Sequence, residues 1–361
     1  MHGQTKGIKT LNLTEYGLTE TIEGAAKQFP SEQLARITEQ HRDFYQVASE
    51  AGVFSAQVTG KFKHQADGQP DFPAVGDWVT ISKSEEQDQA SIHRILPRTS
   101  ALMRGAAGSE GEGQIIAANL DTVFICMSLN ADFNVRRVER YLTIAWESGA
   151  IPVIVLTKAD LCEDLPQKLA ELNEVAIGVD VITCSARQNE GYDQLLRYAN
   201  NNKTIAFVGS SGVGKSTLIN GLMGQDVFAT KAIREDDDKG RHTTTFRQLL
   251  KLPTGGIVID TPGMRELRIQ AGDLAKTFED IEQLATQCKF KDCQHQSEPG
   301  CAVQQAIAAG ELSTERFESY QKLQREMAYS NLNSRELENE KIKRMFGSKN
   351  EMKQMLKQLK R

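Results

Sequence analysis

The stretch TIAFVGSSGVGKSTLIN, running from Thr204 to Asn220, decides the fold. Its apolar run Ile205 to Val208 reads as a buried parallel strand, since a strand covered on both faces loses polar alternation. The run breaks into Gly209, Ser210, Ser211, Gly212, Val213, Gly214, Lys215 and Ser216, the pattern G-x-x-x-x-G-K-[ST]. Thr217 to Asn220 then continue as a helix-compatible segment. Glycines let backbone N–H groups curl round a phosphate without Cβ clashes, the lysine reaches the terminal phosphates, and the hydroxyl after it ligates Mg²⁺. Lys215 and Ser216 stand at those two positions, between a strand and a helix. The chain is expected to bind a nucleoside triphosphate.

Downstream, Gly256 to Asp260 form a second apolar strand that ends in Asp260-Thr261-Pro262-Gly263. This D-x-x-G pattern places a carboxylate at Mg²⁺ and a glycine N–H near the γ-phosphate. Between the two motifs lies Gly240-Arg241-His242-Thr243-Thr244-Thr245, preceded by the acidic run Glu235 to Asp238, which reads as a solvated loop. A threonine here, with Thr244 expected, ligates Mg²⁺ alongside Ser216 when a switch loop closes over the triphosphate.

No base reader of the form [NT]-K-x-D follows Gly263; one lies upstream, Thr157-Lys158-Ala159-Asp160, at the end of an apolar strand. A carboxylate there accepts the N1 and N2 protons of guanine, which adenine does not offer, while the lysine stem packs on the base. Ser185-Ala186-Arg187 ends another strand and matches a loop that backs guanine. The order, base reader before phosphate loop, describes a circularly permuted GTPase domain; permutation leaves a sheet intact because chain ends are rejoined at the surface. Alternation of Thr122–Ser128, Val135–Glu147, Ile151–Thr157, Asp180–Ser185 and Gly191–Ala199 fits a parallel sheet covered by helices on both faces.

Cys288, Cys293, His295 and Cys301 fall within fourteen residues of polar sequence. Three thiolates and an imidazole suit a closed, tetrahedral structural Zn²⁺ site, because a segment so polar has no core in which to bury free thiols. Cys126 and Cys184 sit in apolar strands and read as packing, and Cys162 as inert.

At 361 residues the chain exceeds one small core, and a net charge of −5 argues against a uniformly basic nucleic-acid binder. No apolar stretch is long enough for a signal segment or a membrane span, and a cytoplasmic protein is expected. From about His41 to Arg104, short β-like runs at Phe44–Val47, Val53–Val58, Asp77–Ile81 and Ser91–Leu96 favour a small closed barrel. Lys61, Phe62, Lys63, His64, Arg94 and Arg98 either face RNA or are solvated loop charges. Ser31 to Ile37 reads as helical, and a glycine-rich link, Arg104 to Gly113, leads from the barrel to the α/β region.

These motifs, together with Pro73 to Val79, Leu96-Pro97-Arg98, Ala117 to Asp121 and Asn134 to Leu142, resemble the bacterial small ribosomal subunit-dependent, circularly permuted GTPases, the ribosome biogenesis GTPase A family. The resemblance covers roughly Val47 to Ala328. It implies an N-terminal OB-type barrel, a central permuted P-loop GTPase of α/β class and a C-terminal helical zinc-binding domain. It also implies docking on the small ribosomal subunit and its 16S rRNA near the decoding region, with slow intrinsic GTP hydrolysis that the subunit accelerates. Two departures stand out. Thr157 replaces the commoner Asn, so one buttressing amide is lost; Met264 follows the D-x-x-G where many GTPases carry a water-positioning Gln, leaving His242 as the internal candidate. Lys215 and Gly263 complete the expected catalytic set.

The expected division is an extension over 1–40, a barrel over 41–110, the GTPase domain over 111–270, the zinc-binding helices over 271–330 and a basic helix or tail over 331–361. From Lys341 that tail carries Lys341, Lys343, Arg344, Lys349, Lys353, Lys357, Lys360 and Arg361 against the single acid Glu351, and is expected to lie along rRNA phosphates. A monomer acting with GTP, Mg²⁺ and one Zn²⁺, and no membrane, completes the expectation. The rival reading is a nucleotide-gated rRNA-binding module in which slow hydrolysis is only a timer; a third, ATP-driven remodelling, requires that Asp160 not read the base.

Overall fold

A computed structural model of the chain describes residues 10–83, 89–104, 113–228, 247–260 and 273–330. After helix α1 (Glu20–Ala26) come strands β1 (Gln33–Gln40), β2 (Tyr45–Ser49) and β3 (Gly52–Val58), helix α2 (Gly60–Gln65), and strands β4 (Trp78–Ser82) and β5 (Gln89–Ile95). Neighbours run β1–β2–β3–β5–β4, and β4 returns to pair with β1, so the five strands close into a barrel. Closure removes the sheet edges that would otherwise lie unpaired. Ala35, Ile37, Val47, Ala56, Val79, Ile81 and Ile92 fill its interior.

The first strand corrects two expectations. Ser31 to Ile37 is not helical, and the segment assigned to an extension over 1–40 contains β1, which pairs with both β2 and β4. The i, i+3 spacing of Leu34 and Ile37 imitates a helix, whereas the strand turns Ala35 and Ile37 inward and Arg36 outward onto other protein surface. There Arg36 is buried, donating to Gly76 O at 3.2 Å and Thr204 Oγ1 at 3.1 Å, with a further bond to Tyr16 O. Burial lowers its pKa to about 10, and the guanidinium fastens the barrel to the start of the phosphate-loop strand.

The expected glycine-rich link has β6 (Ala101–Arg104) and β7 (Gln114–Ala118) at its ends, paired as an antiparallel two-stranded ribbon. The chain then builds β8 (Thr122–Ser128), α3 (Val135–Glu147), β9 (Ile151–Thr157), α4 (Leu165–Asn173), β10 (Asp180–Thr183), α5 (Tyr192–Leu196), β11 (Thr204–Val208), α6 (Lys215–Met223), β12 (Arg247–Lys251) and β13 (Ile257–Asp260). Strand order is β10–β9–β8–β11–β13–β12, parallel except for β12. Apolar strands such as β8 and β11 are buried along their whole length, as a sheet covered on both faces requires.

The sheet does not stop at β12. Its outer edge pairs antiparallel with β1 at Glu39↔Gln248 and Gln40↔Arg247, so one ladder runs from the base-reader strands into the barrel.

The C-terminal helices Leu274–Thr277, Glu279–Ala285, Ala302–Ala309 and Thr314–Ser330 pack against the α3 face of the sheet. Phe278, Ile281, Val303, Phe317, Tyr320 and Leu323 join Val138, Tyr141 and Leu142 of α3 in one apolar cluster. The Cys/His region therefore shares a core with the GTPase sheet. Within that core Glu139, fully buried, accepts from Arg316 at 2.9 Å, Ser319 at 2.6 Å and Arg136 at 2.5 Å. Arg316 also grips Asp280 through two bonds of 2.6 and 2.7 Å. Burial alone works against its charge, and the carboxylates of Asp280 and Glu139 outweigh it, so its pKa rises. Removing one member of such a set leaves an uncompensated buried charge, at a cost of about 3–5 kcal/mol.

Candidate functional site

The carboxyl ends of β9, β10, β11 and β13 lie along one edge of the parallel sheet, where doubly wound folds bind ligands. The phosphate-loop sequence leaves β11 there. Gly209 has φ 144°, and a Cβ on it would sit 2.5 Å from Cys126 O, so the turn out of the strand tolerates only glycine. Gly212 and Gly214 also have positive φ, 78° and 104°, and Gly214 is the N-cap of α6. The loop thus delivers its N–H groups to the positive end of that helix. Lys215, in the first turn, donates 2.7 Å bonds to the carbonyls of Gly209 and Ser210, which puts its ammonium inside the loop. Ser216 and Thr217 follow in the same turn. Asp260 ends β13; with Ala206 opposite Ile259, it reaches the same edge one residue later.

Thr157 ends β9, and its hydroxyl donates to Val213 O at 2.5 Å. This corrects the expectation that replacing Asn loses a buttress: the hydroxyl ties the base-reader segment to the phosphate loop. Lys158 is held in the left-handed region, φ 58°, which turns the chain so that Asp160 points back to the sheet edge. Ser185 Oγ then donates to Asp160 Oδ1 at 2.6 Å, fixing the carboxylate. Ala159 N–H donates to Cys184 O at 3.1 Å, and Ser185 closes a tight loop with Glu190 that carries Ala186 and Arg187. Thr157, Lys158, Asp160, Ala186, Arg187 and Thr217 line a cavity of about 350 Å³ between the two segments, a size suited to a nucleobase. Asp160→Asn is expected to weaken discrimination of GTP from ATP by roughly 1–3 kcal/mol, because a charge-assisted pair of bonds is lost. Competition of the two nucleotides for the variant checks this; an undiminished preference places the base reader elsewhere.

One residue of the site escaped the sequence reading. Arg137 Nη1 donates to Ser210 Oγ at 3.1 Å, reaching the phosphate loop from the first turn of α3. The signal was present in Asn134, whose side chain accepts from Arg137 N–H at 3.0 Å and so fixes the start of the helix. Of the barrel cations, Arg98 is taken up by buried Asp77 through 2.8 and 2.7 Å bonds, and Arg94 by Glu32 at 2.7 Å. Lys61, Lys63 and His64 are exposed on α2, while Phe62 leans on Phe72. Gly263, His242, Thr244 and the basic tail over 331–361 lie outside the described residues.

Cys288, Cys293, His295 and Cys301 come together in the C-terminal region, with all ligand atoms within 4.8 Å of one another. Sulfur–sulfur separation for Cys288 and Cys301 is 3.9 Å, and His295 Nδ1 lies 3.5 and 3.4 Å from their sulfurs. A tetrahedron with Zn–S near 2.3 Å and Zn–N near 2.05 Å has edges of about 3.8 and 3.6 Å, so Cys288, His295 and Cys301 stand at zinc spacing, with Cys293 as the fourth donor of the set. Cys301 is the N-cap of the helix Ala302–Ala309. Burial raises the Cys288 thiol's pKa, but the backbone N–H groups of Val303 and Ala302 outweigh this and hold it below its usual value, favouring thiolate. In contrast, burial pushes Cys126 and Cys184 up to about 12 and about 11, keeping both as protonated packing groups.

The comparisons with known proteins agree with one another. The family described as RsgA GTPase matches residues 95–270, and the RsgA N-terminal domain matches 36–92. A protein of Lactiplantibacillus plantarum named small ribosomal subunit biogenesis GTPase RsgA 2 is 61% identical over 96% of this chain and 98% of its own length. RsgA 1 of Listeria innocua is 47% identical over 88% of this chain and 90% of the relative. Among solved structures, YjeQ from Thermotoga maritima aligns with TM-score 0.61 at 28% identity, covering 82% of this chain and 99% of that one. YloQ, described as a circularly permuted GTPase, aligns with TM-score 0.59 at 26% identity, covering 82% and 95%.

Proposed function

The chain belongs to the RsgA family of GTP hydrolases, and we propose that it binds the small ribosomal subunit through 16S rRNA and couples GTP hydrolysis to late maturation of that subunit and to its own release. The names carried by its relatives support the partner. The observation that carries the coupling is the pairing of barrel strand β1 with β12, the strand that also pairs with β13 at Gln248↔Asp260. A barrel seated on RNA and a loop closed over GTP then share one ladder.

In this reading Lys215 and the N–H groups of Gly209 to Ser216 hold the β- and γ-phosphates, and Asp160, set by Ser185, reads guanine N1 and N2. Thr157 keeps the two segments in register, Ala186 backs the base, and the lysine stem of Lys158 covers it. Ser216, Thr244 and Asp260 would hold the Mg²⁺ that neutralises charge on the phosphates when bound. Gly263 N–H serves the γ-phosphate, and His242 orients the attacking water. Cys288, Cys293, His295 and Cys301 would hold one structural zinc ion, which ties together a loop too polar to form a core.

GTP turnover by the purified chain, measured with and without small ribosomal subunits, tests the proposal. Many-fold acceleration by subunits is expected. Subunits that bind in the presence of GTP without changing its turnover would leave a binding module with a hydrolytic timer.

A further inference from the structure

A cleft of about 860 Å³ lies away from the nucleotide edge, at the joint of barrel, ribbon and β12. Its charged lining is Arg42 and Lys63 from the barrel and Arg247 from β12, against Asp43. Tyr45 and Phe72 add aromatic surface.

Arg247 is the unusual member. Its guanidinium is half-buried, yet its partners are all neutral: Gln40 Oε1 and Gln114 Oε1 at 2.9 Å each and Ile115 O at 3.4 Å. Among the described residues no carboxylate pairs with it. A cation removed from water without a counter-charge is costly, and among the described residues the charge that acts on it is another cation, Arg104. Burial and that neighbour lower its pKa to about 10, so at neutral pH it stays charged. Among the described residues the cleft leaves Arg247 able to take an anion beside Arg42 and Lys63. Two amide oxygens already fix the fork, so the guanidinium is pre-aimed for a planar pair of phosphate oxygens.

We infer that this cleft is a phosphodiester site for an unpaired RNA strand, with Arg42 and Lys63 on one side and Arg247 on the other, bridging the barrel to β12. The cleft lies in the size range of small-ligand sites, and aromatic surface beside cations suits a nucleotide whose base is free to stack. Its position gives it a consequence. Gln248, next to Arg247, is the cross-strand partner of Asp260, the residue that closes β13 at the nucleotide edge. A phosphate held by Arg247 thus bears on the strand pair that ends at the GTP site, one register step away.

This inference rests on the RNA-binding role proposed above, and two arms separate the fate of each. In the first, purified small subunits are titrated with the parent, with Arg42→Gln/Arg247→Gln and with Arg247→Lys, between 50 and 200 mM salt. In the second, a labelled twelve-nucleotide single-stranded RNA and a polyglutamate of equal charge replace the subunit. Losing two single-strand phosphate contacts should flatten the slope of log affinity against log salt by about 1.4 and lower affinity by roughly tenfold or more. Arg247→Lys, which keeps the charge, should keep the parent slope and so show that the double variant's loss is electrostatic rather than misfolding. Subunit binding with unchanged slope in the double variant overturns the cleft assignment while leaving the proposed function standing. Oligonucleotide binding through the cleft by a parent that ignores subunits does the reverse. Tighter binding of polyglutamate than of RNA overturns RNA as the ligand, and a parent that binds neither subunits nor oligonucleotide overturns both.

Discussion

Lys215→Ala is expected to reduce GTP affinity by roughly 10²–10⁴-fold, the worth of two charge-assisted bonds at about 1.5–3 kcal/mol each. The magnitude follows from where the ammonium sits. It lies inside the loop, bonded to the carbonyls of Gly209 and Ser210, at the helix end to which Gly214 delivers the N–H groups. Those N–H groups still attract phosphate in the variant, which is why some affinity survives. GDP should lose less than GTP, since the lysine reaches the terminal phosphates. The bonds it gives up to Gly209 O and Ser210 O are only partly buried, so thermal stability should change little beside the loss of affinity. Calorimetric titration with both nucleotides is the measurement. A variant that binds GTP as its parent does would show that the loop is not the phosphate site.

Cys293→Ser should release the metal and loosen far more than the loop that carries it. One zinc per chain is expected in the parent by elemental analysis. Apparent metal-binding energies of structural zinc run to about 10–16 kcal/mol in small domains, comparable with the whole stability of an ordinary fold. The metal-binding loop has little apolar material to replace that. Because Phe278, Ile281, Phe317 and Tyr320 share a core with α3, the loosening should spread to the helix Thr314–Ser330 and to α3. It should not reach α6, whose Leu218, Ile219 and Leu222 pack in a separate cluster on the other face of the sheet. Hydrogen exchange should therefore rise in 273–330 and in α3 and stay slow in α6, with GTP still bound. A metal-free parent, or a variant whose exchange matches its parent throughout, would remove zinc as a structural element.

What the sequence revealed was whatever chemistry lay close together along it. The phosphate loop is eight consecutive residues, the base reader four, and the Cys/His set fourteen, so short-range spacing carries each. Assembly of the first two at one edge followed from the strand-helix alternation around them. The misreadings are of two kinds. Ser31 to Ile37 looked helical because a barrel strand whose outer face is covered by other protein has no polar alternation, and Arg36 in its middle gave no hint of burial. Thr157 looked like a loss because a list of side-chain types does not show that a hydroxyl at the end of β9 reaches Val213. Unseen altogether were links between distant segments. Glu139 and Arg316 are 177 residues apart, and neither has a local pattern that names the other. Arg247 likewise reads as an ordinary surface cation until Gln40 and Gln114 are brought to it.

The pairing of β1 with β12 also sets an order of events during synthesis. Gln40 and Arg247 are 207 residues apart, and at about 5–20 residues per second β1 waits roughly 10–40 s for its neighbour. Meanwhile the closed barrel leaves only the end of β1, Glu39 and Gln40, beyond the residues that pair with β4, as a short open edge, the usual template for mispairing with other chains. That edge is guarded: Glu39 and Gln40 are polar, and the register slips between Ile37 and Glu39, a bulge that spoils a flat template. Closing so long a loop costs roughly 3 kcal/mol more in chain entropy than closing one of ten residues, too much for the two residue pairs of this junction to meet unaided. The junction therefore forms after β12 has been anchored by β13, and the nascent chain completes its barrel and its base-reader strands before the two halves are joined.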